Sequence, residues 1–376
     1  MKNKKIIFLS RSLNAGGAER QLTQLAIGLK RRGYEPAVAV FYGGGKFENE
    51  LTAAGVPVVS LEKKGRWDLV GFLFRLWRYL RKEKPAIVNG YLVVPNILIL
   101  LLKPFLPGIK FVWGVRASFM DLRRYDWTAR FTFRMSCVLA RFADKIIVNS
   151  NSGRDYHAAL GYPINKMTVV PNGFDCSNFQ PDAAKRAEQR QAWNVDADVV
   201  LVGMVARLDP MKDHFTFIEA AREVLLTQTK VRFVCVGDGP QSMKTELQSY
   251  ARKVGVEDAI FWAGALEDMP SVYNALDIHV SSSRGEGFPN AIGEAMCCGV
   301  PCVATRVGDS ADIIGDTGIV VPVQDPHALA AGLLNMMQLL QEDPNKPLSA
   351  CRQRIVELYD RDLLIRRTVQ ILEGIR

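Results

Sequence analysis

Short apolar runs alternate with amphipathic stretches along the whole chain. Residues 5–10, 36–41, 56–60, 87–90, 110–115 and 145–149 have the length and the Gly, Pro or polar punctuation of buried strands. Between them, residues 18–32, 67–84, 96–105 and 120–141 carry helical spacing. In 67–84, Leu69, Phe72, Leu73, Leu76 and Leu80 fall on the face predicted to meet a core. The second half repeats the rhythm, with strands predicted at 199–206, 231–236, 260–262, 278–281 and 301–305 and closing helices at 326–341, 348–359 and 362–373. Strand–helix alternation predicts two doubly wound, Rossmann-like α/β domains with a ligand in the cleft between them. VVPNGFD (169–175) ends the first, 1–175. The polar, charge-rich stretch 176–191 reads as a linker into the second, 176–359.

The densest chemistry lies in 277–305, DIHVSSSRGEGFPNAIGEAMCCGVPCVAT. A strand leads into a glycine-containing loop, Pro289 is placed as the first helical residue, and Gly299 stops the helix. Such loops lie at the carboxyl edge of an open sheet, where ligands bind. The backbone N–H groups of Phe288, Asn290 and Ala291 fall at the helix start, a position suited to an anion. Glu286 and Glu294 suit hydroxyls, so a polyol with an anionic group fits; equally, Glu294 caps a neighbouring element and Glu286 is a solvated loop acid. Arg207 and Lys212 sit five residues apart on the loop after the strand at 199–206. Together they can hold a diphosphate, while alone they read as two exposed cations. Cations for phosphates and acids for hydroxyls on one edge suit a nucleotide sugar. Gly16 and Gly17 precede a helix and let backbone approach a ligand. Gly237 and Gly239 resemble the start of a dinucleotide fingerprint but lack its third glycine.

A chain of 376 residues, 48% hydrophobic and 23% charged, is long enough for two cores. No apolar stretch spans a bilayer: the longest, 91–106, is interrupted by Pro95, Asn96, Lys103 and Pro104. The basic start MKNKKIIFLS reads as a first strand, not a signal peptide. Seven scattered cysteines without a CxxC pair or matching histidines support neither zinc nor a disulfide framework, and point to a reducing, cytoplasmic compartment. Charge is uneven. Residues 1–172 hold 28 Lys+Arg against 11 Asp+Glu, and 61–141 alone hold 16 against 5. With the Arg and aromatic residues of 120–141 (Arg123, Arg124, Tyr125, Trp127, Arg130, Phe131, Phe133, Arg134), this predicts an anionic membrane surface as partner and a peripheral place on the inner face of the cytoplasmic membrane. The alternative is a solvated helix with inward-packed rings. No nucleic-acid motif accompanies the basic patch.

Five segments together resemble a family: NAGGAER at 14–20, VVPNGFD at 169–175, GMVARLDPMKD at 203–213, VGDGP at 236–240, and the two acids Glu286 and Glu294 followed by AMCCGVPCVAT. The chain resembles retaining GT-B glycosyltransferases of family 4, also called glycosyltransferases group 1, along its whole length. The resemblance implies a UDP- or GDP-sugar donor, a glycan or glycolipid acceptor, retention of anomeric configuration and no required metal or other cofactor. It implies that Arg207 and Lys212 bind the donor diphosphate as leaving group, Glu286 contacts the donor sugar and Glu294 holds the ribose hydroxyls. Backbone at Phe288, Asn290 and Ala291 would approach the sugar, Gly16 and Gly17 would lie near the phosphates, and Leu266 would flank the base. The last helix, about 360–376, would pack back on the first domain. Arg116 departs from the pattern: many relatives carry His after the strand at 110–115, on the acceptor side. An epimerase or phosphorylase of the same fold type and a non-catalytic nucleotide-sugar or membrane-surface binding module are the alternatives.

Overall fold

The computed structural model describes residues 4–14, 16–65, 67–116 and 126–375. These form two compact units, 1–173 with 361–376, and 174–360.

In the first unit the described residues build a parallel sheet from β1 (Lys5–Ser10), β2 (Glu35–Val40), β3 (Val58–Ser60), β4 (Ile87–Tyr91), β5 (Lys110–Val115), β6 (Lys145–Val148) and β7 (Met167–Val169), in the order β3-β2-β1-β4-β5-β6-β7. The order reverses between β1 and β4, which pair Ile6 to Ile87. Such reversals open the crevice in which α/β sheets take ligands. One face packs Phe72, Leu76 and Leu80 of helix Val70–Glu83 against Ile7, Val88 and Trp113; each such side chain contributes about 1.5–3 kcal/mol on burial. The other face takes helix Gly17–Arg31 and the last helix, Arg361–Gly374, whose Leu364, Ile365 and Leu372 are buried with Leu25 and Leu29.

Several expectations change here. Leu69 lies before the helix and is exposed. The helix predicted at 96–105 is Val93–Leu101 followed by a 3₁₀ turn at Lys103–Phe105, because Pro104 cannot continue the hydrogen-bond ladder. The helix predicted at 120–141 is Trp127–Leu139, started by Asp126, whose carboxylate accepts from the Ala129 N–H at 2.8 Å. Arg123, Arg124 and Tyr125 lie outside the described residues. Val70, Phe74, Trp77 and Arg81 recur at helical spacing along one side of Val70–Glu83, with Trp77 partly buried against the core. Val70 is 82% and the preceding Trp67 81% exposed, and the Arg81 guanidinium sits 5.1 Å from the Trp77 ring. Trp127, Phe131 and Val138 repeat the exposed apolar pattern. No described helix is long and apolar enough to cross a membrane.

The second unit's described residues build β8 (Val200–Val205), β9 (Val231–Val236), β10 (Ile260–Gly264), β11 (Ile278–Ser281), β12 (Cys302–Thr305) and β13 (Ile319–Val321), parallel in the order β10-β9-β8-β11-β12-β13. Here the reversal falls between β8 and β11, paired through Ile278 to Val202 and His279 to Gly203. The stretch expected to be a linker instead holds helix Ala183–Ala192, N-capped by Asp182. Its polarity misleads because its inward face is arginine. Arg186 and Arg190, one turn apart, bond both oxygens of Asp277 at 2.6 and 3.0 Å, and that carboxylate also accepts from the Leu201 N–H at 2.7 Å. A paired, hydrogen-bonded ion cluster makes such burial tolerable.

Candidate functional site

The loops following β8 and β11 leave neighbouring strands at the reversal, and the chain stitches them together. The Arg284 N–H donates to the Met211 carbonyl at 2.8 Å, and the Ser282 hydroxyl lies 3.0 Å from the carbonyl oxygens of Lys212 and Asp213. Asp213 is buried and left-handed, with φ of 51°. Its carboxylate takes the Arg284 guanidinium and the Thr216 hydroxyl, each at 2.8 Å. A non-glycine residue holds that conformation only where its surroundings fix it. The consequence is local: Lys212, ending the 3₁₀ turn Pro210–Lys212, forms an ion pair with Glu286, whose same oxygen accepts from the Ser283 hydroxyl at 2.7 Å.

Lys212, Ser283 and Glu286 line a cavity of about 190 Å³ with Phe288, Asn290 and Ala291, over a floor that includes Met204 and Val280. That is below the roughly 300–1,000 Å³ usual for a small-molecule site, so it suits one part of a ligand. Helix Asn290–Cys297 begins at the cavity, its positive dipole end toward it, with Pro289 as N-cap residue rather than first helical residue. Gly299, with φ of 75°, follows the helix as the sequence requires.

The other residues singled out by sequence do not line this cavity. Arg207 is on the same loop, but its side chain is 80% exposed, with Asp209 at 4.0 Å. Glu294 accepts from the buried Tyr273 hydroxyl at 3.0 Å. Leu266 is partly exposed after β10. Gly16, Gly17 and Arg116 belong to the first unit: Gly17 starts helix Gly17–Arg31, and Arg116 follows β5. The glycines at 237 and 239 have a local cause. A side chain at Gly237 would collide with the Ala206 carbonyl, and one at Gly239 would approach the Leu208 Cβ to 2.7 Å. They let the loop carrying Arg207 lie against the end of β9, where the Leu208 N–H donates to the Asp238 carbonyl at 3.0 Å. Asp213, Tyr273, Ser283 and Arg284 were not foreseen. Ser283 and Arg284 stand in the flagged loop, but Tyr273 reaches Glu294 only through the tertiary fold. Two histidines near the site, His214 and His279, are held at about 4 by burial, His214 also by the Lys212 charge, and both are neutral at pH 7.

Two sheets with reversed strand order and a site at the reversal define the GT-B class of fold, and solved structures agree. A protein from Anabaena, Alr3699/HepE in complex with UDP, superposes with a TM-score of 0.86 at 22% identity over 98% of this chain and 100% of that one. A glycosyltransferase from Rickettsia africae superposes with a TM-score of 0.86 at 19% identity over 100% and 99%. The chain belongs to the group 1, family 4 glycosyltransferases: the family model "Glycosyltransferase Family 4" matches residues 15–178 and "Glycosyl transferases group 1" matches 199–339. Among curated relatives, a D-inositol 3-phosphate glycosyltransferase of Acidothermus cellulolyticus is 30% identical over 51% of this chain and 45% of its own length. The lipopolysaccharide core mannosyltransferase LpsB of Rhizobium meliloti is 31% identical over 57% and 59%. One component of the phosphatidylinositol N-acetylglucosaminyltransferase of Arabidopsis thaliana is 24% identical over 94% and 78%. The match thus spans about half the length of the first two of these relatives.

Proposed function

We propose that this chain transfers a sugar from a UDP- or GDP-sugar to a hydroxyl of a glycan or glycolipid acceptor, with retention of configuration. The observation that carries the reading is the Lys212–Glu286 pair, built by two neighbouring loops over a cavity at a helix start. A cation, a carboxylate and a helix N-terminus at a sheet reversal suit a diphosphate joined to a sugar. On donor binding Lys212 exchanges Glu286 for a phosphate oxygen, and Arg207, exposed on the same loop, closes on the diphosphate. Glu286 is then released to accept hydrogen bonds from the sugar, near the backbone of Phe288, Asn290 and Ala291, while Glu294 takes the ribose hydroxyls and Leu266 flanks the base.

In the reaction the bond from the anomeric carbon to the phosphate oxygen breaks and a bond to the acceptor oxygen forms on the same face. The departing phosphate takes the acceptor proton, and its developing charge is met by Lys212 and Arg207, which act as the electrostatic stabiliser of the leaving group. The relatives act, by their names, on inositol phosphate, phosphatidylinositol and lipopolysaccharide core, which supports a glycolipid or phosphorylated acceptor in cell-surface glycan assembly. The aromatic and basic stripes of the first unit suit a place at an anionic membrane surface.

A thermal-shift screen against UDP, GDP and their sugars tests the donor, since a ligand of the folded state raises its melting point. One nucleotide series should stabilise the chain and the others should not. Lys212→Ala and Glu294→Ala should each abolish transfer with the fold retained; full transfer by both variants would overturn the assignment.

A further inference from the structure

We propose that Arg116, at the carboxyl edge of the first unit's sheet, recognises a phosphate group carried by the acceptor; this rests on the glycosyltransferase reading. The residue is only partly exposed, and its Nε is buried without a hydrogen-bond partner. Two neutral groups hold it: the face of the buried Tyr91 ring, 4.6 Å away, and the Asn172 amide oxygen, which accepts from Nη1 at 3.0 Å. Among the described residues no carboxylate pairs with it. Glu19, whose charge reaches Tyr91, turns its carboxylate toward Gly16 at the start of its own helix. A partly buried arginine, held in place yet without a counter-charge among the described residues, is costly unless an anion completes it. Its planar fork matches two phosphate oxygens.

The surroundings form a site at this edge. Tyr91 pairs with Gly114 across β4 and β5, and Val115 with Val148 across β5 and β6. Continuing the register by one residue sets Arg116 beside Asn149, on the same face as Tyr91 and Asn89. Gly114 leaves that face open between them; a side chain there would crowd the Gly90 carbonyl at 2.9 Å and the Tyr91 ring at 3.3 Å. The amide oxygens of Asn89 and Asn149, both almost fully buried, have no hydrogen-bond partner. Buried polar atoms left unsatisfied call for a ligand or water. Here a cation waits for an anion and two amide oxygens wait for hydroxyl donors. A phosphate on a hydroxyl-rich ring supplies both. The fold invests in this edge: Leu92, next after Tyr91, is held at φ 77° by donating its N–H to the Gly114 carbonyl at 3.1 Å.

The same chemistry could come from the donor's diphosphate, and the test separates the two sources. Methyl phosphate is titrated calorimetrically into the full chain saturated with whichever of UDP or GDP stabilises it. Wild type should bind methyl phosphate under these conditions, Arg116→Gln about tenfold more weakly, and Arg116→Lys in between, since lysine keeps the charge without the fork. Asn149→Asp, close to isosteric, should weaken binding comparably by placing a carboxylate beside the guanidinium. All three variants should keep the wild-type nucleotide affinity. Undiminished phosphate binding in Arg116→Gln, or no binding in wild type, overturns the proposal. Displacement of methyl phosphate by the nucleotide, or loss of nucleotide affinity in Arg116→Gln, assigns the residue to the donor and also overturns it. Failure of wild type to bind any nucleotide would instead strike the functional reading itself.

Discussion

Tyr273 donates its phenolic hydrogen to Glu294 across 3.0 Å from a fully buried ring, packed edge-on against Phe179 and His279. This bond fixes one oxygen of the carboxylate assigned to the ribose, from a helix, Met269–Ala275, on which no motif had been noticed. Tyr273→Phe should therefore weaken nucleotide binding about fivefold, the effect of roughly 1 kcal/mol, and leave kcat nearly unchanged. Calorimetry with the stabilising nucleotide and steady-state rates check this. A fall in kcat at constant nucleotide affinity would remove Tyr273 from the donor site.

Lys212 and Glu286 form an ion pair with one another. Lys212→Met keeps the stem and removes the charge, leaving Glu286 with the Ser283 hydroxyl. Loss of a charge aimed at a leaving group should lower kcat by about 10²–10³-fold. Glu286→Gln should lower transfer too, without the same loss of nucleotide affinity. Nucleotide binding that survives Lys212→Met at wild-type strength would show that the lysine does not meet the diphosphate.

Both sheets were legible because parallel strands buried on two faces announce themselves as continuous apolar runs. Val231–Val236 and Ile278–Ser281 begin and end where the pattern says. Elements whose inner face is polar were not. Helix Ala183–Ala192 pairs two arginines, Arg190 buried, with a carboxylate 91 and 87 residues away, so its pattern reads as solvated. The site divided the same way. Lys212 and Glu286 stand in recognisable loops, whereas the Arg284–Asp213 clamp that brings them together depends on a left-handed aspartate that no spacing reveals. Gly237 and Gly239 also have a steric role that their spacing does not reveal. They make room for the loop of Arg207.

That reading of the glycines is testable. Gly239→Ala would push its new methyl group to 2.7 Å from the Leu208 Cβ. The loop must shift, at a cost of about 1–3 kcal/mol. Urea unfolding should show that loss, and nucleotide affinity should fall with it because Arg207 moves. Unchanged affinity in a destabilised variant would separate the glycine from the site.

The exposed stripe of Trp67, Val70 and Phe74 predicts membrane association. Replacing Trp67 and Phe74 together by serine removes two rings without touching the buried face of Phe72, Leu76 and Leu80. Partition onto vesicles of phosphatidylglycerol, measured by sedimentation, should fall about tenfold or more, while the melting point stays put. Equal partitioning of the variant and wild type would count against this stripe as the membrane face.

Three buried histidines, His157, His214 and His279, set an acid limit on the fold, burial lowering the pKa of each. His214 and His279 titrate at about 4 when folded, because burial disfavours the imidazolium, against about 6.5 when unfolded. Above pH 6.5 both states hold the rings neutral and stability is at its full value. As pH falls from 6.5 toward 4 the unfolded chain takes up protons that the folded chain refuses. His214 and His279 then each remove about 1.4 kcal/mol per pH unit. Urea unfolding between pH 7.5 and 5 should show the steepest decline below 6.5. His279→Leu, which removes one of the three rings, should lower that slope without abolishing it. A slope unchanged by that substitution would place the acid sensitivity in other groups.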